Sequence, residues 1–384
     1  MGDMEQNTRR VKIPLEIFIK RSWPILAFGA VLILLTVVIL VWYAVSGVGR
    51  KHAATPPTAA TSTAYDVATT TSDLVPRILD GVLVTPAESR LQAYAVMVEN
   101  HTEARPMSGP AKANLAFEFP VEGGITRYML VFDATTTANM IGPIRSARPY
   151  FVDLADALNA VFVHVGGSPE ALDQIKNNTS LRDLNEFWNS KYFWRTAKRS
   201  PPHNVYTKTD LLHEAAAAKK MSEGHFLGWR YKDDYPLEST TGVARGTETG
   251  PTIKYGGSYN TSWEYDRAAN AYVRHEAGEI QKDADGTTVT AKNVVVINTD
   301  GAVIDSYGRL KIRTTGRGKA VVYRDGKSYE AQWRRNPGEY FHFESTDGSD
   351  ILFNRGTTWI EVTLDSGTFD YSTSTVQTAT TTKP

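Results

Sequence analysis

The most extended apolar segment of the chain lies near its N-terminus. No charged side chain occurs between residues 24 and 48, and this run exceeds the ~20 residues that a helix needs to cross the hydrocarbon core of a bilayer. It is too long for a cleavable signal peptide, and its length disfavours a buried core helix. The aromatic residues Trp23, Trp42 and Tyr43 at its ends match the interfacial belts of membrane helices. The pattern predicts a single-pass signal-anchor transmembrane helix at 24–48.

The residues around this helix predict its orientation. More Lys and Arg residues precede the helix than closely follow it, and basic flanks stay in the cytoplasm. Residues 1–23 are therefore expected to form a basic cytoplasmic segment, with the globular part extracytoplasmic at the cell membrane. Tracts rich in Thr, Ala, Ser and Pro at 49–74 and 366–384 cannot bury enough apolar surface to fold, so we expect a spacer and a disordered tail.

Between these tracts, residues 75–240 alternate strand-like and helix-like patterns. Apolar residues spaced as on one helix face follow Pro149, and a second helix is expected to begin at Pro169, because proline suits the first helical position. A third helix is expected at 211–221 from its run of alanines. Buried strands are predicted at 94–99, 114–119, 125–133 and 160–165. The alternation predicts an α/β domain with a mixed sheet.

The second globular part, residues 250–365, has a different pattern. Short β-branched and aromatic runs are separated by Asp-Gly pairs, which favour tight hairpin turns. The clearest hairpin signal surrounds Asp325 and Gly326, and residues 238–250 are expected to join the two parts. The predicted fold class is α+β or α/β: an N-terminal membrane helix, a mixed-sheet α/β domain, then a small, mostly β C-terminal module.

Composition narrows the possible functions. Lys plus Arg and Asp plus Glu both number 42, so the bulk charge does not indicate a nucleic-acid partner. The absence of cysteine excludes disulfides, thiolate nucleophiles, Cys-ligated metal centres and attachment of a lipid to cysteine. The sequence has no Walker A, GxSxG or HExxH motif, and its histidines show no metal-ligand spacing. We therefore predict no cofactor and no metal site.

Two arginines directly precede a predicted helix. Arg145 and Arg148 stand at the positive end of the helix that begins at Pro149, which is unfavourable unless an anion lies among the guanidinium groups and backbone amides. We expect an anion site formed by these two arginines, by Ser146 between them and by Arg127 of a nearby strand. The alternative is a carboxylate partner within the protein, for which the candidates are Glu99, Glu118 and Glu122.

A second strand-to-helix junction offers similar chemistry. A predicted strand ends at Gly166 and Gly167, Ser168 is placed to cap, and Pro169 begins the next helix. A phosphate or carboxylate could bind at this junction. The alternative is favoured by the pattern: a capped helix whose first turn already receives negative charge from Glu170.

Polar residues also cluster at other predicted strand ends. In open α/β sheets, ligands collect at the carboxyl ends of strands. One strand is followed by Asn100 and His101, another ends near His164, and a rigid Pro-Pro loop carries His203. We expect Asn100, His101 and His203 to contribute to ligand binding. The candidates for proton transfer are Glu99, Glu122 and His164.

Several segments resemble the YerB-type family. In the first part these are AVMVENHTEARPMSG, EFPVEGGITRYMLVFD, IGPIRSARPYFVDLA, VHVGGSPEAL and PPHNVYT, and in the second TAKNVVVIN, GRGKAVVYRDGKSYEAQW and NRGTTWIEV. The resemblance implies a two-part extracytoplasmic domain of unknown function, with an N-terminal α/β part and a C-terminal β part. Typical members look like lipoproteins, whereas in this chain the predicted membrane helix replaces the lipid anchor. The resemblance implies an envelope location and no established activity.

A weaker similarity concerns the order of the strand with Arg127, the IRSAR segment and the HVGGSPEAL strand end. This order is similar to that of the LytR-CpsA-Psr phosphotransferases, and it implies arginines that hold a lipid pyrophosphate. The Asp-bearing strand and the Pro-Arg-Asp motif of those enzymes are not plainly present.

Three functional hypotheses follow. The first is an envelope protein anchored in the membrane through 24–48, which binds an anionic ligand (a cell-wall polymer, a lipid phosphate or a partner protein) at its arginine cluster. The second is a phosphoryl or glycosyl-phosphate transferase or hydrolase that acts on envelope glycopolymer precursors with the same arginines. The third is a structural envelope scaffold without a ligand, whose charged residues pair internally.

Overall fold

The computed structural model describes residues 73–365, apart from 91, 222–226 and 241, together with the helical positions Thr36 and Val38. The described residues between 73 and 365 lie within one compact unit, residues 70–384. In that described portion of the chain, no helix has both the length and the apolar character needed to cross a membrane. The predicted cytoplasmic segment, membrane helix, spacer and tail fall almost wholly outside the described residues and stay predictions.

Short strands make up most of the regular structure. In chain order they are β1 Val75–Pro76, β2 Leu83–Val84, β3 Ala93–Glu99, β4 Leu115–Pro120, β5 Thr126–Asp133, β6 Val161–His164, β7 Arg182–Asn185, β8 Trp194–Arg195, β9 Val205–Tyr206, β10 Arg230–Lys232, β11 Thr252–Ile253, β12 Thr261–Asp266, β13 Ala271–Glu276, β14 Glu279–Ile280, β15 Thr290–Ala291, β16 Asn293–Thr299, β17 Gly301–Val303, β18 Leu310–Ile312, β19 Gly316–Arg324, β20 Lys327–Arg335, β21 His342–Ser345, β22 Leu352–Asn354 and β23 Thr358–Leu364.

The helices are fewer and all lie in the first part of the unit. They are α1 Pro149–Ala157, α2 Pro169–Asn177, α3 Glu186–Asn189 and α4 Thr209–Ala218, with short 3-10 turns at Pro86–Glu88, Thr102–Ala104, Pro110–Lys112, Glu122–Gly124, Ser190–Tyr192 and Gly257–Tyr259. Helices α1 and α2 begin at the two predicted prolines, because the fixed backbone angle of proline suits the first helical position. The four predicted strands of this part are also present, as β3 to β6, with ends shifted by at most one residue.

One mixed sheet of ten strands organises the unit. Its strand order is β21-β20-β19-β16-β23-β4-β5-β3-β6-β7. Strand β23 pairs in parallel with β16 on one side and with β4 on the other. Strand β23, the last in the described residues 73–365, therefore joins strands from both predicted parts into a single sheet. Strands β3, β4 and β5 are buried along their whole length, as expected for the centre of a sheet covered on both faces.

A second sheet contains the strands that follow the joint. Its order is β11-β12-β13-β14, with β15 also paired to β13. The predicted hairpin of the second part is confirmed, since β19 and β20 pair with Arg324 opposite Lys327. Asp325 and Gly326 between them have positive φ angles of 52° and 63°, as a two-residue type I′ turn requires. The chain is thus a mixed α+β protein, rich in sheet and poor in helix.

Candidate ligand-binding cleft

Arg148, one of the two arginines before α1, has a carboxylate partner within the protein. Its Nε donates to Glu122 Oε2 at 2.9 Å, its Nη2 is in short contact with Glu122 Oε1, and its Nη1 donates to the Ala147 carbonyl at 2.7 Å. The side chain is largely buried. Arg148 therefore pairs with a carboxylate of the protein itself, which is the alternative that the sequence left open, and the partner is Glu122.

Arg127 is bound in the same neighbourhood. Its Nη1 donates to the Ser146 carbonyl at 2.9 Å, and its Nη2 lies 3.7 Å from Glu122 Oε1. Burial lowers the pKa of Arg127, and nearby Tyr150 and Glu99 oppose that change. Ser146 thus contributes its carbonyl to an internal contact. Both arginines share the carboxylate of Glu122, and their burial leaves little of either guanidinium accessible to an anion from outside.

Arg145 points elsewhere. Its Nε lies 3.0 Å from Oε1 of Glu99, and its Nη1 donates to the Pro202 carbonyl at 3.4 Å. Glu99 is buried at the end of β3, and its other carboxylate oxygen lies 2.6 Å from His203 Nδ1. A carboxylate is an acceptor, so His203 donates this hydrogen bond. Arg145, Glu99 and His203 therefore form one continuous row.

His203 leads from this row to an open cleft of about 610 Å³, lined by Glu103, Lys198, Arg199, Ser200 and His203. We call it the His203 cleft. The loop that carries it, 196–204, is held at its base by the pairing of β8 with β9, and β9 also accepts a hydrogen bond from Ile144 N at 2.8 Å. These contacts bring a loop from late in the first part against the segment before α1.

Two cations of the His203 cleft differ from the arginines at Glu122. Arg199 donates to two carbonyl oxygens, those of Glu103 at 2.8 Å and Pro106 at 3.0 Å. Lys198 is exposed. Within the part of the chain that the structure describes, neither residue forms an ion pair with a carboxylate. The sequence analysis singled out neither residue, because nothing in the local pattern separates them from other surface cations.

The cleft also brings together residues that could hold a metal ion. His101, Glu103 and His203 each place a potential ligand atom within 4.8 Å of the others. The rings of His101 and His203 stack with their centroids 5.1 Å apart. No metal-ligand spacing is visible in the sequence because His203 follows the other two residues by about a hundred positions, and only the fold brings them together.

The junction before α2 is a capped helix start. Ser168 Oγ accepts from Ala171 N at 3.3 Å, and Gly166 N donates to Asn185 Oδ1 at 3.1 Å. Gly166 has a φ of +60°, a conformation that glycine adopts without strain. Gly167 pairs with Ala147 in an isolated bridge. The groups that the sequence offered to a phosphate or carboxylate here are thus engaged with the protein itself.

His164 is fully buried and bonded on both sides of its ring. Nδ1 lies 2.6 Å from the Gly166 carbonyl, and Nε2 lies 2.6 Å from Asp183 Oδ1. To act on a substrate the ring would first have to break one of these bonds. The other candidates for proton transfer, Glu99 and Glu122, carry the arginine contacts described above, and only Glu99 adjoins the His203 cleft.

Asn100 belongs to a different polar region, deep between the two sheets. Its amide donates to Glu276 Oε1 at 2.6 Å and to Thr126 Oγ1 at 2.7 Å, while its oxygen accepts from Arg105 Nε at 3.2 Å. It is fully buried. The expectation that Asn100 contacts a ligand beside His101 therefore has no support in the position of its side chain, although its backbone precedes His101.

This region contains a set of charges that we call the buried ionic cluster, which comprises Arg274, Glu118, Glu276, Glu361 and Arg105. Arg274 is at its centre, in short contact with Glu118 and 3.7 to 3.8 Å from the other two carboxylates. No prediction from the sequence included this cluster. Strand β13 buries Tyr272, Arg274 and Glu276 and leaves Val273 only partly buried, so its polar and apolar pattern gives no sign that Arg274 lies inside.

Two arginines facing three carboxylates leave the cluster with one negative charge in excess, which favours a proton held on one carboxyl group. Burial raises the pKa of Glu118 to about 8, partly opposed by Arg274 and reinforced by Glu361. A carboxyl whose pKa is raised in the folded state binds its proton more tightly there than in the unfolded chain. The stability that this carboxyl contributes is therefore complete below its pKa in the unfolded chain, near 4.5. That stability is lost as the pH rises through its pKa in the folded state.

We expect the free energy of unfolding of the parent protein to fall by on the order of 2 kcal/mol between pH 6 and pH 9 because of this group. Glu118→Gln should remove most of that decline, since an amide does not titrate. Urea unfolding followed by tryptophan fluorescence at several pH values measures both slopes. Equal slopes in parent and variant would show that another group causes the decline.

Comparison with known proteins agrees with this architecture. Residues 79–222 match the family model described as the N-terminal domain of a protein of unknown function, DUF3048, and residues 251–360 match the model of the DUF3048 C-terminal domain. The chain belongs to the DUF3048 family. The boundary between the two DUF3048 models falls before β11, whereas the ten-stranded sheet combines strands from both matched regions.

Among DUF3048 relatives, the chain is similar to the YerB protein of Bacillus subtilis (strain 168), which is named as a candidate lipoprotein. The two are 31% identical over 294 residues, which cover 75% of this chain and 86% of the relative. The crystal structure of Bacillus subtilis YerB matches with a TM-score of 0.68 and 29% identity, over 78% of this chain and 99% of that one. The resemblance to the YerB-type family is thereby confirmed.

Proposed function

We propose that this DUF3048 protein is a membrane-associated, extracytoplasmic protein of the cell envelope that binds an anionic ligand in the His203 cleft. The name of the YerB relative, a candidate lipoprotein, supports the location, and so does the apolar run at 24–48, through which the chain would cross the membrane once with its N-terminus inside. The ligand would present phosphate or carboxylate groups, as cell-wall polymers and lipid head groups do.

A contrast among the cations carries the proposal. Arg148 is buried and paired with Glu122, and Arg127 is buried against the Ser146 carbonyl and near the same carboxylate, so neither guanidinium is open to a ligand. Lys198 and Arg199 line an open cleft and have no carboxylate within ion-pair distance among the described residues. Guanidinium and ammonium groups in such a position bind phosphate or carboxylate oxygens with charge-assisted hydrogen bonds. Of the arginines expected from the sequence, Arg145 remains part of the site as the residue that holds Glu99 behind His203.

The proposal predicts the effect of removing the two cations. Lys198→Gln together with Arg199→Gln should weaken binding of a poly(glycerol phosphate) chain by at least about tenfold, because hydrogen bonds to charged groups contribute about 1.5–3 kcal/mol each. Isothermal titration calorimetry on the full-length chain in mild detergent, with EDTA present, measures this. The double variant should unfold only slightly below the parent, since Lys198 is exposed and the two carbonyl hydrogen bonds of Arg199 lie at the surface.

A matched control removes the same two charges elsewhere. Lys311 and Arg317 are exposed on β18 and β19, so Lys311→Gln with Arg317→Gln lowers the net charge equally. This control should bind the polymer within about twofold of the parent, because screened charges away from the cleft act weakly. If both double variants lost affinity for the polymer equally, net charge alone would explain the loss, and a site in the His203 cleft would be refuted.

A further inference from the structure

The mouth of the His203 cleft has the ligand set of a transition-metal site. Nε2 of His203 lies 3.2 Å from Oε2 of Glu103. Two ligand atoms bound to one zinc ion at 2.0–2.1 Å in tetrahedral geometry are about 3.3 Å apart. This pair is therefore already spaced as two neighbouring ligands, and His101 supplies a third potential ligand atom within 4.8 Å.

We propose that His101, Glu103 and His203 bind a divalent transition-metal ion of the zinc type. Two imidazoles and one carboxylate favour zinc and its neighbours over magnesium or calcium, which prefer oxygen ligands. Three protein ligands leave a coordination position open toward the cleft. Lys198 and Arg199 line the same cleft, so the open position faces the side where the proposed anion would bind.

The contacts behind His203 match those of a metal-binding histidine. Metal-ligating histidines commonly donate their second ring nitrogen to a carboxylate, which orients the ring and raises its basicity. Glu99 makes this contact at 2.6 Å with Nδ1 of His203 and is itself buried and paired with Arg145. Glu99 is thus a positioning residue, and it leaves Nε2 directed toward Glu103.

His101 is the weakest of the three ligands. Its Nδ1 accepts from the backbone N–H of Glu103 at 3.2 Å, which places the ring proton on Nε2 in the metal-free protein. Ligation through Nε2 would move that proton to Nδ1 and give up this contact. The geometry therefore predicts a ranking, in which loss of His203 or Glu103 weakens metal binding more than loss of His101.

Surface charge near the cleft is nearly balanced. Lys198 and Arg199 repel a metal cation, whereas the carboxylate of Glu103 attracts it directly and that of Glu99 attracts it through His203. Glu103 is 71% exposed, so the ligand can adjust its position without disturbing the core. The exposed carboxylate also means that Glu103→Gln tests the site without threatening the fold.

The test is calorimetric titration of zinc into the chelator-treated full-length chain, in mild detergent and without any phosphate or polymer. We expect one zinc ion per chain. His203→Ala and Glu103→Gln should each lower the affinity at least about tenfold, His101→Ala should lower it less, and Glu99→Gln should lower it by about 10–100-fold although Glu99 does not touch the ion. Thermal unfolding of each variant without metal checks that it folds.

The chain offers a matched control. His275 and Glu264 form another surface pair with the same separation of 3.2 Å between Nε2 and Oε2, but without a third ligand in the described residues. His275→Ala should leave zinc binding unchanged. No stoichiometric zinc binding by the parent, or binding that survives Glu103→Gln, would overturn the proposal. Because the polymer assay contains EDTA and this assay contains no anion, either proposal can fail while the other holds.

Discussion

Replacing Arg274 by methionine should lower the free energy of unfolding by about 3–5 kcal/mol. The guanidinium is fully buried, in short contact with Glu118 and 3.7 Å from Glu361 Oε1. Removing it leaves three carboxylates together with Arg105 as the remaining cation, which contacts Glu276 at 3.0 Å, and taking up protons relieves only part of the cost at Glu118 and Glu361. The loss should also grow above the parent's Glu118 pKa of about 8, because Arg274 lowers that pKa and its removal makes the ionised form of Glu118 more costly.

The same substitution at an exposed arginine separates this effect from the general cost of losing an arginine. Arg230 pairs with Asp350 at 3.8 Å, and both side chains are more than half exposed. Arg230→Met should change the free energy of unfolding by less than about 1 kcal/mol. Urea unfolding at pH 7 compares the two variants. A loss below 1 kcal/mol for Arg274→Met would mean that the buried ionic cluster does not stabilise the junction between the sheets.

Replacing Asp325 by alanine should destabilise the protein by about 3 kcal/mol or more. Its buried carboxylate accepts from Lys232 Nζ at 2.6 Å, from Asn270 Nδ2 at 2.9 Å and from Asn354 Nδ2 at 2.8 Å. The substitution leaves these donors without their acceptor. Asp325 also has a positive φ, which aspartate tolerates better than alanine.

The pH dependence of this loss has a definite sign. Burial alone would raise the pKa of Asp325, but the hydrogen bonds from Lys232 and Asn270 outweigh burial and lower it. A carboxylate with a lowered pKa stabilises the folded state above its pKa in the unfolded chain, about 3.9. This stabilisation is lost as the pH falls through the pKa in the folded state. The difference between parent and Asp325→Ala should therefore be complete at pH 7 and shrink in strong acid.

Another Asp-Gly turn supplies the control. Asp347 accepts from Ser349 N at 2.9 Å in an exposed turn, so Asp347→Ala should leave the free energy of unfolding almost unchanged. Denaturant unfolding at pH 7 and at pH 3 measures both variants. Similar effects at the two turns would show that turn geometry, and not the buried carboxylate, accounts for the loss at Asp325.

Sequence reasoning found one side of the candidate site. Arg145, His101 and His203 were each expected to contribute to ligand binding, and in the structure Glu99 connects Arg145 to His203 while the His101 ring stacks on that histidine. Lys198 and Arg199 were not expected, since they follow no strand that the sequence predicts and precede no predicted helix start. Their place in the His203 cleft depends on the pairing of β8 with β9, two-residue strands that leave almost no periodic signal.

Sequence reasoning also left the partner of each arginine open. A helix start that carries two cations requires negative charge nearby, and this requirement is local. Whether the charge comes from Glu122 or from outside depends on the turn between β4 and β5, which brings Glu122 to Arg148. The same reasoning placed Arg127 correctly near this turn but could not assign its bond to the Ser146 carbonyl.

What could be read from the residues alone was local: the buried strands, the helices that begin at Pro149 and Pro169, and the turn at Asp325 and Gly326. Each depends on neighbours in the chain, because backbone angles and periodic burial are set within a few residues. The joining of β23 to β4, the buried ionic cluster and the His203 cleft came only from the fold. They depend on contacts between residues a hundred or more positions apart, where strand pairing determines which charges meet and which stay open to a ligand.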